Sequence, residues 1–355
     1  DLVVATHGRS FWIIDDLTPL HQLNNDNQND DAILFKPDLS YRMAQSGGRN
    51  RPNNLLYGEN HPNGVIVNYY VKNLQEGDYI RIDIENKDGS VIRTFTNNKD
   101  NHSKIENNDV NKMVGNPVLS NPNDIDNALS SDNLVSLSPR SGGNRLIWDM
   151  RYPGFKSFEG MVLYSSPNVG PKVAPGKYNI KMTYNDQILQ KEFEIVKDPR
   201  VKISQADYED QLEFLINVRD EVSRANQKII DIRNIKNNMI FISEKTRGNI
   251  ELQEMINNYL TDVSEIENNI HMTKNQSRQD PLNYGIRINN RIAFLLADSQ
   301  RGDYPPTDQS KEFFIQVKKE LDSEVMKLDA LIDKHSQKIE NYLEVNKIEL
   351  ISLNN

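Results

Sequence analysis

A short stretch near the middle of the chain combines an aromatic ring with several charges. Arg145, Trp148, Asp149 and Arg151 lie within seven positions of one another. An indole ring stacks on apolar faces such as those of sugars, and a guanidinium forms forked hydrogen bonds with acidic groups. These four residues are therefore a candidate ligand-binding cluster. The structural alternative is that Trp148 or Ile147 fills a protein core, while Arg151 pairs with a carboxylate at a domain junction.

Beyond this cluster, the sequence contains no specific catalytic or metal-binding pattern. None of the six histidines has metal-ligand spacing such as HExxH, and no GxSxG, P-loop or GxGxxG motif occurs. The chain has no cysteine, which excludes disulfides, thiol nucleophiles and cysteine-ligated zinc. Asp26, Gln28 and Asp30 alternate as in a calcium loop, but the glycine and the closing glutamate are missing. We predict no catalytic residue, no cofactor and no metal.

Composition excludes two classes of partner. The 355 residues carry a formal net charge of −9, and such a surface without a basic stripe repels phosphate backbones. We therefore expect no nucleic-acid partner. No apolar run reaches the length of about 18–20 residues that a membrane-spanning helix needs, so we also expect no membrane span.

The elements that must position the cluster read as strands up to about residue 197. Isoleucines alternate in the run YIRIDIE, so Arg81 and Asp83 are expected to face water. An Asp-Gly turn at residues 88–89 predicts a hairpin. About seven short strands predict an antiparallel immunoglobulin-like β-sandwich over residues 24–200, with a long asparagine-rich loop at 96–142. The predicted strands cover residues 32–35, 65–71, 79–85, 91–95, 145–150, 177–184 and 188–196.

After residues 198–200 the apolar period changes from 2 to about 3.6. Ser204 and Asp207 resemble a helix capping box. Apolar stripes then follow in four segments, interrupted at Gly248, at residues 280–281 and at residues 305–306. Because the connections are short, we predict an antiparallel helical bundle over residues 201–355.

The opening segment DLVVATHGRSFWIIDDLTPL reads as a strand, a turn at Gly8 and a return strand. Both strands are apolar on both faces, which is typical of strands buried between layers. A two-stranded hairpin is at best marginally stable in water, so this one is expected to need neighbouring strands.

This segment resembles the closing strands of the last blade in sortilin-type, BNR-repeat β-propellers, a family of large bacterial exported proteins often labelled glycosyl-hydrolase-like. The likeness extends in order along nearly the whole chain. The matching segments are GENHPNGVIVNYYV (58–71), GGNRLIWDMRYPG (142–154), APGKYNIKMTY (174–184), KDPRV (197–201), DPLNYGIRINNRIAFLL (280–296) and PPTDQS (305–310).

The resemblance implies that residues 1–23 are the last strands of a truncated blade, whose partners are upstream propeller domains of the same chain. It also implies export from the cytoplasm. The propeller is otherwise absent, and so is the cysteine-rich module of eukaryotic sortilins, so no catalytic residue and no receptor role transfer to positions in this chain.

Three functions are compatible with the sequence and with this resemblance. The first is a non-catalytic accessory region that supports protein or glycan binding and domain packing. The second is an appendage of a glycoside hydrolase whose active site lies in the propeller. The third is an assembly module whose long helices bind a partner protein.

Overall fold

The protein has β-sheets in its first part and a helical region in its second. A computed structural model describes residues 1–8, 11–14, 16–43, 61–97 and 134–348. The chain divides into two compact units, and both are discontinuous in sequence. The sheet unit contains Asp1–Gly154 and Gly170–Leu212, and the helical unit contains Phe155–Val169 and Glu213–Asn355.

The sheet unit contains eleven strands, one short helix and the first turns of a long helix within the described residues. The strands are β1 (Leu2–Ala5), β2 (Phe11–Ile14), β3 (Ala32–Leu34), β4 (Ser40–Arg42), β5 (Val65–Val71), β6 (Ile80–Glu85), β7 (Val91–Thr96), β8 (Leu134–Ser136), β9 (Gly142–Trp148), β10 (Gly176–Tyr184) and β11 (Gln187–Lys197). The short helix α1 (Thr18–Gln22) follows β2. All the predicted strands are confirmed, whereas α1, β4 and β8 were not predicted.

These strands form three sheets. One has six strands in the order β4-β11-β10-β6-β7-β8, the second has the order β3-β5-β9, and the third contains only β1 and β2. The sequence predicts antiparallel pairing, but the six-stranded sheet is mixed, because β4 pairs with β11 in parallel and β8 pairs with β7 in parallel. Both exceptions are short strands at the sheet edges, which reach their partners through long connections rather than tight turns.

One hydrophobic core joins the six-stranded and three-stranded sheets. Alternate residues of β5, such as Val65 and Val67, contribute to this core together with Ile80, Ile82 and Ile84 of β6. The alternation arises because successive side chains of a strand point to opposite faces. The alternating apolar side chains that the sequence pattern predicts to be buried are therefore buried in the structure.

The prediction that Asp83 faces water is wrong. Its residue is only 5% exposed. The carboxylate accepts hydrogen bonds from Arg81 Nε at 2.8 Å and from the Thr94 hydroxyl at 2.5 Å. Thr94 on β7 and Lys181 on β10 are the cross-strand neighbours of Asp83, and the buried carboxylate is tolerated because it has hydrogen-bond partners.

The helical region has five helices within the described residues. They are α2 (Gln205–Lys245), α3 (Ile250–Ile270), α4 (Pro281–Tyr284), α5 (Ile288–Ser299) and α6 (Asp308–Val345). The predicted third helix is two helices, because Gly285 adopts a positive φ of 75° and ends α4. The described part of the predicted 96–142 loop includes β8, and the remainder of that loop, residues 98–133, lies outside the described residues.

Helices α2, α3 and α6 begin at residues whose side chains form short-range capping hydrogen bonds. Ser204 Oγ donates to the Asp207 carboxylate at 2.7 Å, and the Asp207 amide donates back to Ser204 Oγ at 3.2 Å. This confirms the predicted capping box. Asn249 and Thr307 cap α3 and α6 by accepting from the backbone amides of Leu252 and Ser310.

Candidate functional site

The β1–β2 hairpin exposes all of its large apolar side chains. The strands pair in antiparallel register, with Val4 opposite Trp12, and Gly8 takes a φ of 83° in the turn. Phe11 is 73% exposed and Trp12 is 63% exposed. The seven large apolar side chains exposed on the two strands are Leu2, Val3, Val4, Phe11, Trp12, Ile13 and Ile14.

This hairpin also has two open edges. Among the described residues β1 pairs only with β2, and β2 only with β1. An open edge presents unpaired N–H and C=O groups, which template pairing with another strand. Apolar residues exposed together on both faces mark a surface that becomes buried against a partner. The hairpin is therefore the candidate interaction surface of this protein.

The four residues of the predicted cluster have different environments. Trp148 is 1% exposed and lies in the core between the two larger sheets. Its ring meets Tyr178 and Phe193 edge to face, with ring centroids 6.2 and 6.3 Å apart. Its indole Nε1 donates to the Arg151 carbonyl at 3.1 Å. Neither face of the ring is open to a ligand.

Arg145 lies on the exposed side of β9, away from the indole. Its Nε lies 3.3 Å from the Asn68 Oδ1 and its Nη2 lies 3.9 Å from the Asp16 carboxylate. Burial raises the pKa of Asp16, but hydrogen bonds from Thr18 and Asn68 and the charge of Arg145 lower it overall. The arrangement ties β9 and β5 to the segment that follows β2.

Asp149 and Arg151 shape the chain just after β9. The Asp149 carboxylate accepts the Arg151 amide at 3.2 Å, and Met150 between them has a φ of 61°. The Arg151 guanidinium donates to the Gly170 carbonyl at 2.7 Å. Burial lowers the pKa of Arg151, and the nearby charge of Arg42 acts in the same direction. Each of these contacts holds backbone in place.

Sequence reasoning missed Arg42, a buried cation in the sheet unit. Its Nε donates to the Val173 carbonyl at 2.9 Å, and its Nη2 donates to Gln211 Oε1 at 3.3 Å. The guanidinium carbon lies 4.7 Å above the ring centre of Tyr208, within cation–π range. Because these partners lie more than 130 positions away in sequence, no local pattern could have revealed the site.

A buried polar network in the helical unit was also missed. Asn289 is fully buried, and its Nδ2 lies 3.1 Å from Asn226 Oδ1 and 3.2 Å from His271 Nδ1. Burial lowers the pKa of His271 to about 4, with a further contribution from the charge of Arg233. At neutral pH the imidazole is therefore uncharged.

Two grooves among the described residues of the helical unit differ in the character of their walls. One, of about 450 Å³, lies among α3, α5 and α6 and has mostly polar walls, including Arg287, Arg291 and Glu320. The other, of about 370 Å³, lies among α2, α3 and α6 and has mostly apolar walls, including Met239 and Phe241. The Tyr259 hydroxyl is buried beside the apolar groove, and this burial raises its pKa.

The described residues contain neither a cluster of metal ligands nor a membrane-spanning helix. No group of three or more histidine, aspartate or glutamate side chains is arranged to hold a metal ion. No helix in this part of the chain has the length and apolar character needed to cross a membrane.

Comparisons with protein-family models, with curated proteins and with solved structures each found no match to this chain.

Proposed function

We propose that this chain is a non-catalytic accessory region of an exported, sortilin-type β-propeller protein. In this proposal β1 and β2 are the last strands of a propeller blade, the two larger sheets form an immunoglobulin-like sandwich, and the helices form a bundle. The region supports protein or glycan interaction and the packing of domains. The observation that carries the proposal is the exposed apolar hairpin.

The hairpin has the properties of an incomplete sheet. Each large apolar side chain that leaves water on burial contributes about 1.5–3 kcal/mol, so seven of them provide a strong driving force for association. Two strands without a third are marginal in water, whereas three or more with a buried face are stable. Adding strands at the open edges of β1 or β2 would satisfy both the side chains and the backbone.

Hydrogen exchange tests this proposal directly. The amides of Val3, Val4 and Ile13 should exchange rapidly in this chain alone and much more slowly in a longer protein that includes the upstream propeller. The amides of β10 should exchange at the same slow rate in both proteins, because that strand has neighbours on both sides. Equal exchange of the hairpin in the two proteins would contradict the blade assignment.

The non-catalytic part of the proposal needs a separate assay. We expect no hydrolysis by this chain on a panel of polysaccharides, while the longer protein is tested on the same panel. Hydrolysis by this chain alone would overturn the accessory role. Activity confined to the longer protein would favour the alternative of an appendage to a glycoside hydrolase.

Glycan binding is tested on an array with the wild type and one variant. Since Trp148 lies in the core, its loss should act through folding, so the informative substitution is Arg145→Ala on the exposed side of β9. A folded Arg145→Ala protein that loses glycan binding would place the ligand at this strand, whereas unchanged binding would exclude it.

A further inference from the structure

The polar groove of the helical unit contains one cation that its surroundings leave unbalanced. The groove lies beside the start of α5, with Arg287 and Arg291 one turn apart on the same side of the chain. Across from them, α6 contributes Glu320 and Glu324.

Three of the four charges are matched. Arg291 binds Glu320 through both guanidinium Nη atoms, with a distance of 3.2 Å between Nη2 and Oε1. This hydrogen bond and charge lower the pKa of Glu320. Glu324 accepts from Lys327 Nζ at 2.6 Å and from Asn269 Nδ2 at 3.1 Å. Both carboxylates on the α6 wall are therefore neutralised by partners within the protein.

Arg287 differs from Arg291 in this respect. Its Nε is buried and has no hydrogen-bond partner, and no ion pair to Arg287 occurs among the described residues. A buried donor on a charged group that lacks an acceptor is unfavourable. The residue as a whole is half-buried and lines the groove, so a ligand there would contact the guanidinium through its Nη atoms rather than through the sealed Nε. Guanidinium groups are preferred protein ligands of carboxylates and phosphates, because their donors form a planar fork.

We propose that this groove binds a small molecule through a single oxyanion group, either a carboxylate or a phosphate, held by the Arg287 guanidinium. The Ser323 hydroxyl, which also lines the groove, is the second donor. The start of α5 has no side-chain cap and adds a favourable dipole. The paired glutamates opposite favour a ligand with one anionic group over a polyanion. The site is independent of the β1–β2 hairpin and of its function.

Calorimetric titration of the full chain provides the test, with sodium acetate and sodium phosphate as probes and sodium chloride at matched ionic strength as the blank. Arg287→Gln should weaken the Kd of the bound probe by about tenfold or more, as expected for loss of a charge-assisted hydrogen bond. Arg301→Gln is the matched control, because Arg301 is exposed, pairs with Asp298 and lies outside the groove.

The two probes distinguish the ligand chemistries. Binding of acetate alone assigns a carboxylate, and binding of phosphate alone assigns a phosphate. Backbone amide shifts measured by NMR during the same titration should concentrate at Arg287 and Ser323. If Arg287→Gln does not fold, Arg287→Lys keeps the charge without the fork and should still weaken binding. Failure of both probes to bind, or equal binding by the wild type and the folded variant, would overturn the proposal.

Discussion

Two antiparallel hairpins in the sheet unit, β1–β2 and β10–β11, place their apolar side chains in different environments. In β1–β2, Val4 faces Trp12 across the pair, and both side chains are exposed. In β10–β11, Ile180, Met182 and Phe193 are buried almost completely. Both hairpins are rich in β-branched and aromatic residues, so propensity alone does not distinguish them.

The difference lies in what adjoins each hairpin. The pair β10–β11 has β6 on one side and β4 on the other, and the three-stranded sheet shares its core. The pair β1–β2 has neither a third strand nor a covering sheet within the described residues. Pairing two strands satisfies only the hydrogen bonds between them, whereas burial needs a second layer.

The two tryptophans of the chain provide the sharpest test of this comparison. Trp148→Ala should reduce the free energy of unfolding of the sheet unit by about 3–5 kcal/mol, since it leaves a large cavity between the sheets. Trp12→Ala should change that free energy by less than about 0.5 kcal/mol, as is usual for exposed side chains. Urea unfolding followed by circular dichroism measures both values.

Similar losses of unfolding free energy for the two substitutions would contradict the difference in burial between Trp148 and Trp12. A large loss of stability on Trp12→Ala would mean that the hairpin is covered in solution. Trp148→Phe is the useful companion variant, because it retains most of the volume and should recover much of the stability.

The second unit extends the comparison to a buried polar group, His271. Its pKa of about 4 in the folded chain lies below the ordinary value of 6.5. Between these pH values the unfolded state binds more protons, so stability should fall by about 3 kcal/mol as pH falls through that window. His271→Gln should flatten this dependence in denaturant titrations of the helical signal.

Exposed His21 provides the control for this experiment. His21→Gln should leave the helical unfolding signal as in the wild type, because this residue belongs to the sheet unit. If His271→Gln also retained the full dependence between pH 6.5 and 4, burial of His271 would not be its cause.

Two glycines of the sheet unit differ in the space around their Cα atoms, as the two tryptophans differ in burial. A Cβ built on Gly170 would lie 1.8 Å from the Tyr152 carbonyl oxygen, whereas one built on Gly143 would meet nothing within 4 Å. Gly170→Ala should therefore destabilise the sheet unit by about 1–3 kcal/mol or more. Gly143→Ala should be close to neutral in the same thermal or urea unfolding measurement. Equal effects would mean that the segment at Gly170 moves freely to admit a side chain.

The smallest expected effect is spectroscopic. In a Trp148→Phe protein, the remaining emission comes from Trp12 and should be red-shifted and readily quenched by acrylamide, since that indole is exposed. In a Trp12→Phe protein, the emission from Trp148 should be blue-shifted and protected. A protected Trp12 would show that the hairpin finds a partner, either a second copy or another part of the chain.

Local patterns predicted most of the secondary structure. Alternating apolar residues located β5 and β6, and the Ser204–Asp207 box located the start of α2. The short strand β4 was missed because only three residues carry its pattern. The burial of Asp83 was missed for a different reason, since it depends on a partner on β7 and on pairing with β10, which is far away in the sequence.

The candidate sites were less accessible to sequence reasoning. The residue types around Trp148 suggested a ligand cluster, yet the indole lies in the core, Asp149 and Arg151 are half-buried, and Arg145 is exposed. The groove at Arg287 has no sequence signature, because its walls come from three helices. Which cation remains unpaired depends on side-chain geometry across α5 and α6.

The amino-acid sequence by itself determined where strands and helices form, because hydrophobic period, turn residues and caps act over a few neighbouring positions. It also determined that the β1–β2 hairpin is apolar on both faces. Only the tertiary structure decided that Trp148 is buried while Trp12 is exposed, and that Arg291 is paired while Arg287 is not. Burial and ion pairing depend on residues far apart in the chain, and folding alone brings those residues together.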